Sequence, residues 1–458
     1  VNYMPYVGSF AGNLTVGVVA GLNESGSGHR GKISHMTVSD ITMSGFGNYR
    51  YMGGIVGENS DVLGAIVEAC TVRNTTIEQA SGSEAGNCYG GIAGNNRGEL
   101  NGCIIRDIAV DVQGVYTATS TSTTAEKERL SSHVGGIAGK NEESGYITGC
   151  LIESAGNGKV NTISTKNGMA GGVTGYNKGR IELSGDAVTA ALMKTETAGT
   201  GGKEKVRTVQ ALIREAVKQG VKKDAQYVSW QNGTVPLNSQ RYDHSEGQVS
   251  EQNSEGISRT LKLLMETNGN LGGITAYNVG SVDYCASGNW YLNNQSEAIG
   301  VGTGGIIGMN ESDENLSFLL NQAFVGRELR NGDTNRFAGG IIGNQNNSVS
   351  GGWVIENCVN YGTVYCKKTH YSGGIIGQWT GRGGSIEKCY NFGNLQTTYG
   401  TGWVGASGGI VAQLYHAYTD NEYNIVSCEN HGNIYGQDGK NYRAGETTTS
   451  ICANDSAG

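Results

Sequence analysis

Proline is nearly missing, with two residues in 458 against 76 glycines. That imbalance excludes a collagen-like chain, which needs glycine at every third place together with abundant proline. No apolar run approaches the roughly 18 residues of a membrane-spanning helix. The net charge of −8 is modest, is not gathered into a tail and gives no basic footprint for nucleic acid. The sequence contains no H-E-x-x-H and no C-x-x-C, so no metal or other cofactor is expected. A disordered linker would be poor in Ile, Val and Tyr, and this chain is not. It starts at Val1 without a signal-peptide pattern and reaches Gly458 without a sorting motif, and so reads as a mature or excised piece of something longer.

What is present is repetition. A phrase of the type GGIIGMN starts at Gly17, Gly53, Gly90, Gly135, Gly171, Gly272, Gly304, Gly339, Gly373 and Gly408. Successive starts lie 32 to 45 residues apart, except for one interval of 101 between Gly171 and Gly272. A period near 35 with one interruption is the signature of a solenoid. The third place of the phrase is always Ile or Val and the fifth is Gly or Ala. On a straight strand these two share a face, which predicts that they point inward together and that a neighbouring wall comes close at the small residue. The glycine pair predicts a tight turn where a Cβ would clash.

A second signal follows each phrase: an aliphatic residue, two variable ones, then Cys70, Cys103, Cys150, Cys285, Cys358, Cys389 or Cys428. Residues three apart on a straight strand face opposite sides, so a bend before the cysteine is needed to bring both inward. The last repeats add CVNYGTV, CYNFGNL and CENHGNI, whose Asn-x-Gly places offer turn chemistry. About three short strands per repeat, stacked, make an all-β fold, a β-solenoid (right-handed β-helix) of about ten coils and about 48 Å long. The expected organisation is an N-terminal half over 1–189, a helical insertion over 190–268 and a C-terminal half over 269–458.

These phrases resemble the GLUG motif, and the NCVNYGTV-type segments resemble what surrounds it in large secreted bacterial proteins. The resemblance covers nearly all of the chain outside 190–268. It implies a secreted or cell-surface setting, in adhesin-like regions or beside streptococcal metalloproteases that cleave immunoglobulin A. No protease motif accompanies it here.

Seven cysteines share one repeat place, which predicts a ladder of buried thiols about 4.8 Å apart instead of a disulfide framework. Cys88, Cys366 and Cys452 lie off the ladder, and one pair among them is left open as a disulfide. Reduced cysteines outside a cell are unusual, so an anaerobic, gut bacterial habitat is expected.

Catalytic constellations are scarce. Asp243, His244 and Ser245 are adjacent and cannot form a relay on one another. Glu356 and Glu387 occupy equivalent places in consecutive repeats and form the one carboxylate pair suited to a polysaccharide-active lyase or hydrolase.

The interruption changes character. Residues 203–223 place Val206, Val209, Ile213 and Val217 near one helical face, with seven basic and two acidic residues elsewhere. Ile257, Leu261, Leu264 and Met265 continue the pattern. Basic charge with Tyr and Trp is a hot-spot composition, so the expected binding residues are Arg207, Arg214, Lys218, Tyr227, Trp230 and Tyr242. A lateral patch around Trp379 and Trp403 is the alternative. The expected function is a non-catalytic, adhesin-like binding module on a bacterial surface. Its expected partner is a host protein or glycoprotein: an immunoglobulin such as IgA first, mucin glycan second. No nucleic acid is expected, and the chain is read as a monomer.

Overall fold

The computed structural model describes residues 14–186 and 263–435 apart from short gaps, with further strands at Ser250–Gln252, Ser258–Thr260 and Cys452–Ser456. The described residues form a β-solenoid. Four walls, not three, recur in each coil, and every wall pairs in parallel with the same wall of the next coil. The first wall holds ten strands, from Leu14–Gly17 to Ala406–Gly408. The second holds eleven, from Ala20–Asn23 to Cys452–Ser456, and the third ten, from Lys32–Ser34 to Asn424–Val426. The fourth begins with the long strands Thr37–Gly45, Thr71–Gln79 and Ile104–Val112 and is cut into shorter ones later.

The glycine pair makes the corner between the first and second walls. A Cβ on Gly304 would fall well inside 3.0 Å of the Ile307 carbonyl oxygen, and one on Gly305 would meet the carbonyl of Gly340 in the next coil. Third-place residues such as Ile55, Ile92, Ile137 and Ile306 are buried in the main core. The fifth place does not join them. Gly94 lies against the first-wall backbone, where an added Cβ would be 2.5 Å from the Met52 nitrogen, and Ala276 belongs to a separate cluster with Tyr176, Tyr277 and Met309. The corner turns the strand, so straight-strand alternation fails there, while the close approach of a wall at the small residue holds.

The bend before the cysteine is a single left-handed residue. It recurs in every coil, as at Ala69 (φ 50), Tyr284 (φ 52) and Lys388 (φ 51), and it rotates the next side chain into the core. No helix among the described residues is long and apolar enough to cross a membrane.

The helix expected over 257–265 is absent. Ser258–Thr260 is a strand paired with Ser250–Gln252, and Leu263–Thr267 is a fourth-wall strand between Asn161–Thr165 and Trp290–Asn294. Contiguous Leu263, Leu264 and Met265, all buried, are a strand covered on both faces, which imitates a helical stripe over so short a stretch. The helix expected over 203–223 lies outside the described residues. The register also locates the interruption. Leu151 pairs with Gly185, Ile152 with Asp186 and Asn161 with Leu263, so residues 187–262 occupy the place of the short segment 153–160 one coil earlier. Both ends of the insertion belong to one wall of one coil, not to adjacent coils.

Candidate functional site

The phrase ends in asparagine, and this is the residue whose role the sequence hid. Asn23, Asn59, Asn96, Asn141, Asn177, Asn278, Asn310 and Gln345 stack inside the solenoid, the amide N–H of each asparagine donating to the amide oxygen of the next coil at 2.7–3.0 Å. The same amides hold the following turn, as when Asn177 Nδ2 donates to the Gly179 carbonyl at 3.2 Å. A second ladder runs through Asn321, Asn360, Asn391 and Asn430 at 2.7 Å per step. There the expected turn chemistry is present: the Gly362 N–H donates to Asn360 Oδ1 at 3.0 Å. Buried amides satisfied in this way are structural and are not free to meet a ligand.

The thiols stack as expected. Cys70, Cys103, Cys150, Cys285, Cys358, Cys389 and Cys428 are buried and free, and so are Cys88 and Cys366. Met36, Ser184 and Leu319 fill the ladder place in the three coils without cysteine; Ser184 and Leu319 are buried, and Met36, in the first coil, is 40% exposed. Each ladder thiol donates to a backbone carbonyl two residues back, 3.3 Å away for Cys70 and 3.2 Å for Cys285. Burial pushes the Cys285, Cys366 and Cys389 thiols well above the usual range, so none is a nucleophile at neutral pH. Counting thiols on denatured, unreduced protein is expected to find at least nine free; disulfides among the seven ladder cysteines would contradict the stacking.

One cysteine has a histidine beside it. Cys88 Sγ lies 3.6 Å from His133 Nδ1 on adjacent first-wall strands, and the Tyr176 ring packs against the imidazole at 5.1 Å between centroids, tilted by 41°. Lys140 closes over the ring at 5.9 Å and is held by Glu128 and Glu142 at 2.7 and 2.6 Å. The arrangement looks like a thiol–imidazole dyad, but burial raises Cys88 to about 12 and lowers His133 to about 3. Both groups are neutral across the physiological range, which makes this a packed layer and not an activated pair.

The outer face of the third wall is different. A row of side chains one coil apart runs Ser34, Glu68, Asn101, Thr148, Glu182, Asp283, Ser317, Glu356, Glu387, Val426. Its middle is tied together. The Tyr146 hydroxyl donates to Glu182 at 2.6 Å, and Arg180 pairs with Glu182 at 3.3 Å. The Ser317 N–H and hydroxyl each donate to Asp283 at 2.9 Å, while burial holds the Asp283 carboxyl above its ordinary range. Glu356 and Glu387 stack in direct register as expected, Glu387 accepting from Ser385 at 2.9 Å. Neither has an ion-pair partner among the described residues. This row, polar from Ser34 to Glu387, is the candidate functional surface.

Of the residues expected to bind, Arg207, Arg214, Lys218, Tyr227, Trp230 and Tyr242 lie outside the described residues, as does Trp403. Trp379 is described and overturns the aromatic patch proposed around it. It is fully buried, in register with Gln345 of the amide ladder, 5.1 Å from Trp353 and edge-on to Tyr423 at 4.8 Å. The ladder place points inward in every coil, so a tryptophan there fills the core. No group of three or more His, Cys, Asp or Glu able to hold a metal ion occurs among the described residues. No family model, no curated protein and no solved structure matches the chain.

Proposed function

We propose that the chain is a non-catalytic binding module on a bacterial surface, engaging a host protein or glycoprotein through the 187–262 excursion and the adjoining third-wall ridge. The observation that carries this is the root of the excursion. It leaves the fourth wall after Asp186 and returns at Leu263 on the same wall, so a long insertion interrupts one wall of one coil while the parallel register continues on either side. Insertions held on a repetitive scaffold are where recognition commonly resides. Within the excursion Arg207, Arg214 and Lys218 are the proposed polar contacts, and Tyr227, Trp230 and Tyr242 the aromatic anchors. The resemblance to GLUG-type surface proteins favours an immunoglobulin such as secretory IgA as partner, with mucin glycan second, in an anaerobic gut setting.

The test exploits the register. Replacing 187–262 by the chain's own 153–160 segment should leave the solenoid folded, with an unchanged β-type circular dichroism spectrum. Capture of secretory IgA or mucin glycopeptides from intestinal fluid should then fall at least tenfold, because hot-spot residues dominate such interfaces. Undiminished capture by the shortened chain would move the site elsewhere on the solenoid.

A further inference from the structure

We infer that the Leu14–Gly45 end of the solenoid is a docking surface for one more β-coil of the repeat's own type, added as a parallel strand from outside the described solenoid. Three observations meet at this end. First, its strands Leu14–Gly17, Ala20–Asn23, Lys32–Ser34 and Thr37–Gly45 are each paired on one side alone among the described residues, leaving a row of backbone donors and acceptors open. Second, interior places are bare. Val19 is 38% exposed where its equivalent Ile55 is 0%, and Met36, at the cysteine-ladder place, is 40% exposed where Cys70 is 0%. Val18 and Leu22 extend this apolar face. Third, the amide ladder is directional. Every later asparagine oxygen receives the N–H of the coil before it, but Asn23, only 7% exposed, donates to Asn59 and Ile66 while its own oxygen has no donor among the described residues.

Together these specify the occupant. Backbone edges ask for a strand, Val19 and Met36 ask for inward aliphatic side chains, and Asn23 Oδ1 asks for an amide donor in register. That is the interface already repeated between every pair of neighbouring described coils. A second copy docking by its opposite end fits poorly, because Leu414 and then Asp455 stand in the ladder register there and neither is an amide.

The probe is a labelled peptide with the sequence of residues 49–60, YRYMGGIVGENS, titrated into the full chain and followed by fluorescence anisotropy. Saturable binding is expected, with a photo-crosslinker at the peptide's glutamate place attaching beside Leu22. The peptide carrying Asn59→Asp, which cannot donate to Asn23, should bind about tenfold more weakly, and the chain carrying Val19→Lys with Leu22→Lys should lose at least as much. The peptide variant leaves the protein untouched, so a folding defect cannot account for its effect. Absence of saturable binding, equal binding of the Asn59→Asp peptide, crosslinks mapping elsewhere, or dimerisation of the chain through this end would each overturn the inference.

Discussion

Gly304→Ala is expected to open the solenoid at its seventh and eighth phrases, with a loss of about 3 kcal/mol or more. The added methyl would meet the carbonyl oxygen of Ile307 well inside 3.0 Å, and that atom belongs to backbone fixed by parallel pairing on both sides. Neither the corner nor its neighbours can give way without breaking the ladder of main-chain bonds. Gly352→Ala is the control, since nothing lies within 4 Å of its added Cβ, and it should stay within about 0.5 kcal/mol of the parent. Coils of a solenoid can open separately, so the measurement is native-state hydrogen exchange of amides in the coils around Gly272, Gly304 and Gly339. Unchanged protection in Gly304→Ala would show that the corner is not close-packed.

The second large effect is expected from Asn141→Leu, at a loss of about 3 kcal/mol. Asn141 is fully buried; it receives from Asn96, donates to Asn177, and also holds the Gly145 carbonyl at 3.2 Å. Leucine leaves the Asn177 oxygen buried without its donor and removes one of the two bonds made by the Asn96 amide and by the Gly145 carbonyl. Asn141→Asp adds a pH signature. Its carboxylate would face the Asn177 oxygen, so the folded state favours the protonated acid and raises its pKa above the ordinary ~3.9. The stability linked to that proton is present below the unfolded pKa and is lost as pH rises through the raised folded value, so Asn141→Asp should approach the parent at pH 3 and fall away by pH 7. Urea unfolding at the two pH values checks this, and a deficit independent of pH would contradict the ladder.

The solenoid was legible because its two strongest signals are geometric. Glycine pairs mark places where a Cβ cannot fit, and cysteines at one repeat place mark a narrow interior column. The amide ladder at the seventh place of the phrase was not legible, because asparagine is ordinarily an exposed residue and only stacking in register shows that its amide is satisfied inside. Trp379 was misjudged for the same reason, since it stands in that inward place. The fourth wall was hidden by the left-handed residue before each cysteine, which no residue type announces: Ala69, Tyr284 and Lys388 all adopt it. The expected binding residues rest on composition alone, whereas the location of their segment within one coil emerged only from strand register.

The central functional claim is that this scaffold binds without catalysing. Its most direct test is reducing-sugar release from a panel of plant and mucin polysaccharides by the purified chain. The proposed binding role expects no release above buffer, and the stacked pair Glu356 and Glu387 is the place to look if there is any. Release that disappears in Glu356→Gln or Glu387→Gln would contradict the account and make the third-wall ridge a polysaccharide-cleaving site.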